Sequence, residues 1–157
     1  PYFGSHVVMV TAASDTETKV PADVSGKVMA IEAGTSYEKM VADLNAELEA
    51  AGKAPIQAQT YPSASGVIEQ ILVGRATATI TQDTTAAYRM LQVSGRLSIP
   101  YTYDESENYG IYLRKSDGDR QMLKEAIEAL QASGEMKAFL QKWNLPETAT
   151  DVSHDVK

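Results

Sequence analysis

Apolar residues in the first hundred positions follow two alternating patterns, one with the period of a strand and one with the period of a helix. Short runs rich in β-branched residues at 6–12, 27–33, 56–62 and 76–81 are typical of strands. After each of the last three runs, apolar residues recur three and four positions apart, as on one face of a helix. The pattern predicts the order β-β-α-β-α-β-α.

Residues that favour helix termini lie at one end of each predicted helix. Gly52 follows the first helix as a candidate left-handed cap, the second helix stops at Gly74, and Asp83 is a candidate N-cap for a third helix at 83–92. The apolar face of the first helix comprises Tyr37, Met40, Val41, Leu44 and Leu48, and that of the second comprises Val67, Ile68, Ile71 and Leu72.

Strands separated by helices indicate an α/β fold class. We expect a three-layer α/β/α arrangement around a mainly parallel sheet, with right-handed crossovers that place helices on both faces. In open sheets of this kind, ligands bind beyond the carboxyl ends of the strands.

The last fifty residues predict a different order of elements. One more strand is predicted at 107–115, and two helices separated by Gly134 follow it. Residues 147–157 form a polar tail, which we expect to be solvated. The apolar faces of the two helices comprise Leu123, Ile127 and Leu130 in the first and Met136, Phe139, Leu140 and Trp143 in the second.

Composition narrows the range of functions. The 157 residues carry a net charge of −7, which argues against binding to nucleic-acid phosphates. With no cysteine, a disulfide framework and a thiolate metal site are excluded. Only His6 and His154, at opposite ends of the chain, offer imidazole, so we expect neither a metal nor another cofactor. No apolar run approaches the length of a membrane span.

The corner between the second strand and its helix, EAGTSYEKM at 32–40, admits two interpretations. Thr35 followed by Glu38 fits a capping box, in which Thr35 only caps the helix. Alternatively, Gly34 lets a ligand approach the backbone, while Thr35 and Ser36 add hydroxyl donors to an anion site at the helix N-terminus. A second corner, at Gln82 and Asp83, likewise admits either an N-cap or a polar ligand site.

Five segments, in register over nearly the whole chain, resemble one protein family. The segments PYFGSHVVMV, SGKVMAIEAGTSYEK, YPSASGVIEQILVGRATATITQDTTAAY, ENYGIYLRKSDGD and GEMKAFLQKWNLP are similar to the second half of type II periplasmic solute-binding proteins of polar amino-acid ABC transporters. The resemblance implies a periplasmic or membrane-tethered extracellular protein without enzymatic activity. It would capture a small polar solute, such as an amino acid, between two lobes and deliver it to a membrane permease.

The resemblance also implies a division of the chain. Residues 1–107 would form lobe 2, with a first hinge crossing at 1–5. Residues 108–146 would form the second crossing and the C-terminal helices of lobe 1. About a hundred lobe-1 residues, with the family's carboxylate-binding arginine, are absent, so the chain resembles a fragment or a separately made half. We therefore expect the C-terminal helices to meet another chain, as a homodimer or by segment exchange.

Candidate ligand contacts follow from the family's motifs. Gln82 stands where the family has the aspartate that binds the ligand ammonium, with Asp83 one position later, and Thr77 also departs from the pattern. A neutral amide cannot bind an ammonium as strongly as a carboxylate does. Either Asp83 replaces the missing acid, or the ligand is not an ordinary α-amino acid. The other predicted contacts are Glu32, Gly34, Thr35, Ser36 and Tyr37.

Two alternative functions share this fold. A few proteins that resemble the family are dehydratases of the cyclohexadienyl type, and here Glu32 or Asp83 would have to serve as the acid. The other alternative is the ligand-sensing domain of a receptor.

Overall fold

The computed structural model describes residues 1–152, and the chain forms two compact units. Residues 7–104 make up the first, called here the sheet unit. Residues 1–6 and the chain from residue 105 onward make up the second, called here the helix unit.

Five strands form one mixed sheet in the order β3-β2-β4-β1-β5. Strand β2 pairs in parallel with both β3 and β4, whereas β1 pairs with β4 in the antiparallel sense. Strands β1 and β5 also run in opposite directions, because hydrogen bonds join Tyr2 to Tyr109 at one end and Ala13 to Arg96 at the other. The strands are β1 (Phe3–Ala12), β2 (Val28–Glu32), β3 (Gln57–Tyr61), β4 (Ala78–Gln82) and β5 (Leu97–Tyr109).

Three helices cover the sheet unit: α1 (Tyr37–Ala50), α2 (Ala64–Leu72) and α3 (Asp83–Gln92). As predicted, Gly52 terminates α1 just beyond its last residue, with a φ of 70° in the left-handed conformation that glycine adopts without strain. The Lys53 amide then donates to the Leu48 carbonyl at 2.8 Å, which closes the last turn.

Two apolar clusters, one on each face of the sheet, form the core of this unit. Met9 and Ile80 pack with Val41 of α1, whereas Val10 packs with Ile68 of α2. Successive residues of β1 thus point into opposite clusters, because side chains alternate along a strand. The predicted three-layer α/β/α fold is confirmed, but the sheet is mixed rather than mainly parallel, because β1 runs antiparallel to both β4 and β5.

The predicted strand at 107–115 is wrong in position. The strand is β5, from Leu97 to Tyr109, and residues 110–115 form neither strand nor helix. Pro100 lies within β5, which is an edge strand, where proline is tolerated.

The helix unit contains α4 (Asp117–Ala132) and α5 (Glu135–Lys142), separated at Gly134 as predicted. A short 3-10 helix follows at Glu147–Thr150 and buries Ala149, so the predicted polar tail is structured where it begins. The tail's His154 lies outside the described residues. Within residues 1–152, no helix is long and apolar enough to cross a membrane.

Candidate functional site

Three strand ends lie at one edge of the sheet. Because β2 is parallel to β3 and β4, the carboxyl ends of all three strands, at Glu32, Tyr61 and Gln82, share that edge. Helix α3 begins directly after its strand, and helices α1 and α2 begin after short corners. This edge, the carboxyl edge, therefore gathers three helix N-termini with their partial positive charge.

The corner before α1 is held by hydrogen bonds within the chain. Gly34 has a φ of 74°, which favours glycine, and its amide donates to the Glu38 carboxylate at 2.6 Å. The Thr35 hydroxyl donates to the Glu32 carbonyl at 2.7 Å. Ser36, rather than Thr35, is the N-cap residue, and its side chain makes no capping hydrogen bond. The predicted capping box is therefore wrong, because the helix starts one residue later than the box requires.

The corner before α3 also differs from the sequence-based interpretation. Gln82 is the N-cap residue, in extended conformation, and Asp83 is the first residue of the helix. Asp83 is only 8% exposed, whereas Gln82 is half-buried. The prediction that Asp83 caps α3 is wrong. An acidic residue in the first turn still interacts favourably with the helix dipole.

A third corner, before α2, was missed from the sequence. The Ser63 side chain accepts a hydrogen bond from the Gly66 amide at 3.2 Å, so α2 is capped from within. The Tyr61 hydroxyl donates to Gln59 at 3.0 Å. A serine directly after a predicted strand and before an apolar helix was the available signal.

The remaining candidate residues occupy different environments. Tyr37 packs in the apolar cluster that contains Val41, so most of its ring contributes to the core. Glu32 is half-buried, and its carboxylate makes no ion pair with another described residue. Of the acidic residues near the carboxyl edge, Glu38 accepts the hydrogen bond from the Gly34 amide and Asp83 is nearly buried.

The carboxyl edge is not enclosed by the sheet unit. The crevice between Glu32, Val67 and Thr81 is too narrow to admit a water molecule. Among residues 1–152, no group of three or more histidine, aspartate or glutamate side chains is placed to hold a metal ion. The arrangement offers hydrogen-bonding groups to one side of a small polar molecule.

Solved structures of solute-binding proteins have the same fold. A mutant of ArgBP from T. maritima is 25% identical, with a TM-score of 0.62, and the match covers 91% of this chain and 59% of that protein. The second substrate-binding domain of Lactococcus lactis GlnP is 20% identical, with a TM-score of 0.69 and coverages of 91% and 60%. The ancestral amino-acid-binding protein AncCDT-1, a precursor of cyclohexadienyl dehydratase, is 17% identical, with a TM-score of 0.63 and coverages of 91% and 58%.

The chain thus has the fold of type II periplasmic amino-acid-binding proteins, which confirms the resemblance noted in the sequence at the level of fold. It spans about three fifths of the length of the solved proteins that it matches. No protein-family model and no curated protein sequence matches the chain.

Proposed function

We propose that the chain is part of the solute-binding component of an ABC importer, with the carboxyl edge as its half of the ligand site. The shared edge of β2, β3 and β4, with three helix N-termini, is the observation that supports this proposal most strongly. Such an edge is where ligands bind in open α/β sheets. In this proposal the protein works in the periplasm or on the outer surface of the membrane, and a permease receives the solute.

The proposed ligand is a small polar solute, an amino acid or a related compound. Glu32 and Gln82 would contact it, with the backbone and hydroxyls of Gly34, Thr35 and Ser36. Because Gly34 and Thr35 already have partners in Glu38 and Glu32, a ligand carboxylate has to share or displace those bonds. The half-buried carboxylate of Glu32 favours a ligand with an amino or other cationic group.

We expect weak binding by this chain alone. Small-molecule sites bury most of their ligand, and the carboxyl edge covers only one side. In a nuclear magnetic resonance titration with a panel of amino acids at millimolar concentration, the amide signals of residues 34–36 and Gln82 should shift. Calorimetry should detect no micromolar affinity.

Two matched variants test where the ligand binds. Gln82→Ala should weaken the titration response, whereas Gln57→Ala should leave it unchanged, because Gln57 begins β3 and so lies at the opposite edge. Shifts centred on Gln57, or no shift in any variant with any amino acid, would contradict the proposed site.

An enzymatic role would give a different result in the same samples. Turnover of a cyclic hydroxy acid, abolished by Glu32→Gln or Asp83→Asn, would replace the binding proposal with a dehydratase. Saturable shifts without product support binding.

The proposal includes a partner for the C-terminal helices. Phe139 is 59% exposed and Trp143 is 42% exposed, so both present apolar surface to a second copy or to a separate lobe-1 chain. If these residues form a contact, Phe139→Ser should weaken the association measured by light scattering, with Lys137→Ser on the same helix as the control.

A further inference from the structure

We propose that Glu32 and Thr81 together bind a cationic nitrogen of the solute, which narrows the ligand to one with a primary ammonium or guanidinium group. This inference rests on the proposed function and adds to it a contact residue and a ligand class. Thr81 was not among the site residues predicted from the sequence.

The two side chains lie next to each other on adjacent parallel strands. Ala30 of β2 pairs with Thr79 of β4. Two positions further along both strands, on the same face of the sheet, lie Glu32 and Thr81. Both line the crevice beside Val67 of α2, in agreement with this register. Since neighbouring strands are about 4.8 Å apart, the carboxylate and the hydroxyl can contact one nitrogen atom between them.

Both side chains have unused hydrogen-bonding capacity. Thr81 is only 7% exposed, yet its hydroxyl makes no hydrogen bond to another described residue. The half-buried carboxylate of Glu32 likewise makes no hydrogen bond or ion pair with another described residue. Polar groups withdrawn from water are costly without a partner, and most of them have one. A ligand nitrogen that donates to both oxygen-bearing side chains would be such a partner.

The chemistry of this pair selects the kind of ligand. A carboxylate only accepts hydrogen bonds, and a hydroxyl can accept as well, so the bound group has to be a donor. Positively charged donors bind a carboxylate roughly twice as strongly as neutral donors do. The full charge of Glu32 also outweighs the partial positive charge of about one half at the N-terminus of α2. A primary ammonium and a guanidinium each have several N–H donors, so either can bind both side chains.

The surroundings of the pair belong to the core of the sheet unit. The crevice is also lined by Val67, Ile68 and Ile80, and all three are buried in the two apolar clusters. The positions of Glu32 and Thr81 therefore depend on how α2 packs on the sheet, and not on the helix unit.

Methylammonium chloride is a suitable probe, because it presents the proposed group alone. A ligand with so few atoms binds in the millimolar range at best, so the titration has to reach about 0.5 M. Nuclear magnetic resonance signals of Glu32 and Thr81 should then shift. Tetramethylammonium chloride has the same charge but no N–H donor, and it should bind about tenfold more weakly or worse. Sodium chloride at the same concentration controls for ionic strength.

Variants of Thr81 separate binding from structure. Thr81→Val replaces only the hydroxyl by a methyl group, so it should raise the dissociation constant for methylammonium by about threefold to tenfold without lowering stability. Thr81→Ser keeps the hydroxyl and should bind as the unaltered chain does. The matched control is Thr79→Val, on the same face but further from the edge, because the Thr79 hydroxyl already donates to the Ile80 carbonyl at 3.3 Å.

A second pair of variants tests the charge. Glu32→Gln keeps the shape of the side chain and should raise the same dissociation constant by about tenfold or more. Glu69→Gln, at an exposed position of α2, removes the same charge elsewhere and should leave the constant unchanged.

The results distinguish failure of this subsite from failure of the proposed function. Equal binding of methylammonium and tetramethylammonium, or unchanged binding by Thr81→Val, would overturn the subsite. Shifts of residues 34–36 with amino acids that persist undiminished in Thr81→Val and Glu32→Gln would also overturn it, while leaving the proposed function intact. If neither the amino acids nor methylammonium shift any residue of the carboxyl edge, both proposals fail.

Discussion

The sheet unit and the helix unit differ in how completely each covers its own apolar residues. In the sheet unit, β2 and β4 contribute Met29, Ala30 and Ala78, all with no exposed surface. In the helix unit, α4 has sixteen residues and none of them is buried. Burial of apolar surface is the main stabilising contribution to folding. The sheet unit therefore buries a core of its own, whereas α4 keeps its apolar face at least partly exposed.

This difference separates the two proposed roles. The carboxyl edge belongs to a sheet that has a packed apolar cluster on each face. Such a rigid framework suits a site that must hold hydrogen-bonding groups in place. In the helix unit, the exposed side chains of Phe139 and Trp143 are the basis of the proposed contact with another chain.

The largest expected contrast comes from deleting the same side chain in the two units. Ile80 is 2% exposed between β1 and α1, and Ile80→Ala should lower the free energy of unfolding by about 2–5 kcal/mol. Ile127 on α4 is only half-buried, and Ile127→Ala should cost about 1 kcal/mol or less. Urea denaturation at low protein concentration measures both, and equal losses would remove the contrast.

Loss of a polar link should have the next largest effect. Asn45 of α1 accepts from the Ile56 amide at 2.6 Å and donates to the Ile56 carbonyl at 3.0 Å. Asn45→Leu leaves both partly buried backbone groups without a partner and should cost about 2 kcal/mol. Gln121→Leu, on the exposed face of α4, should change stability by about 0.5 kcal/mol at most. A tolerated Asn45→Leu would show that α1 and the start of β3 do not need this link.

Glycine-to-alanine substitutions should have opposite signs in the two units. Gly34→Ala forces a side chain into a left-handed conformation and should cost about 1 kcal/mol, although no atom crowds the position. Gly118 is the second residue of α4, and Gly118→Ala should stabilise the chain by about 0.5 kcal/mol at most, because alanine favours the helical conformation more than glycine does. Thermal unfolding followed by circular dichroism gives both values. Stabilisation by Gly34→Ala would mean that the corner relaxes easily.

Acid should reveal a smaller contribution from the loop after β1. Burial raises the pKa of Asp15, but hydrogen bonds from Thr18 and Glu17 outweigh burial and hold the pKa of that carboxyl below its ordinary value. The resulting stability is present above the unfolded pKa of about 3.9 and is lost as the pH falls through the folded pKa. Asp15→Asn should therefore flatten the dependence of unfolding free energy on pH below about pH 4. Glu49→Gln, an exposed position on α1, is the control. Identical pH profiles for Asp15→Asn and the unaltered chain would refute this contribution.

The sequence predicted the elements of the sheet unit well because their periodicity reflects burial on known faces. Val67, Ile68 and Ile71 recur at helical spacing, and all three lie in the core. β5 was the exception, although Leu97, Ile99, Tyr101 and Tyr103 alternate as strand residues do. Its second half is exposed and charged, so the alternation fades before the strand ends.

The sequence predicted where the candidate site lies, but it did not predict the hydrogen bonds within the site. Strand-to-helix corners are visible in sequence, whereas the hydrogen bonds of each corner depend on a shift of one residue. Gly34 turns the chain so that α1 starts at Tyr37, and Glu38 then reaches the Gly34 amide instead of closing a capping box with Thr35. Spacing alone cannot distinguish these two geometries.

Native-state hydrogen exchange, read residue by residue at low protein concentration, tests the difference between the two units most directly. We expect the amides of Met29–Ile31 and of Thr79 and Ile80 to exchange only through global unfolding. Those of α4 around Ile127 should exchange through local openings of much lower free energy. Equal protection of α4 and the central strands would contradict the account, because the helix unit would then be as self-sufficient as the sheet unit.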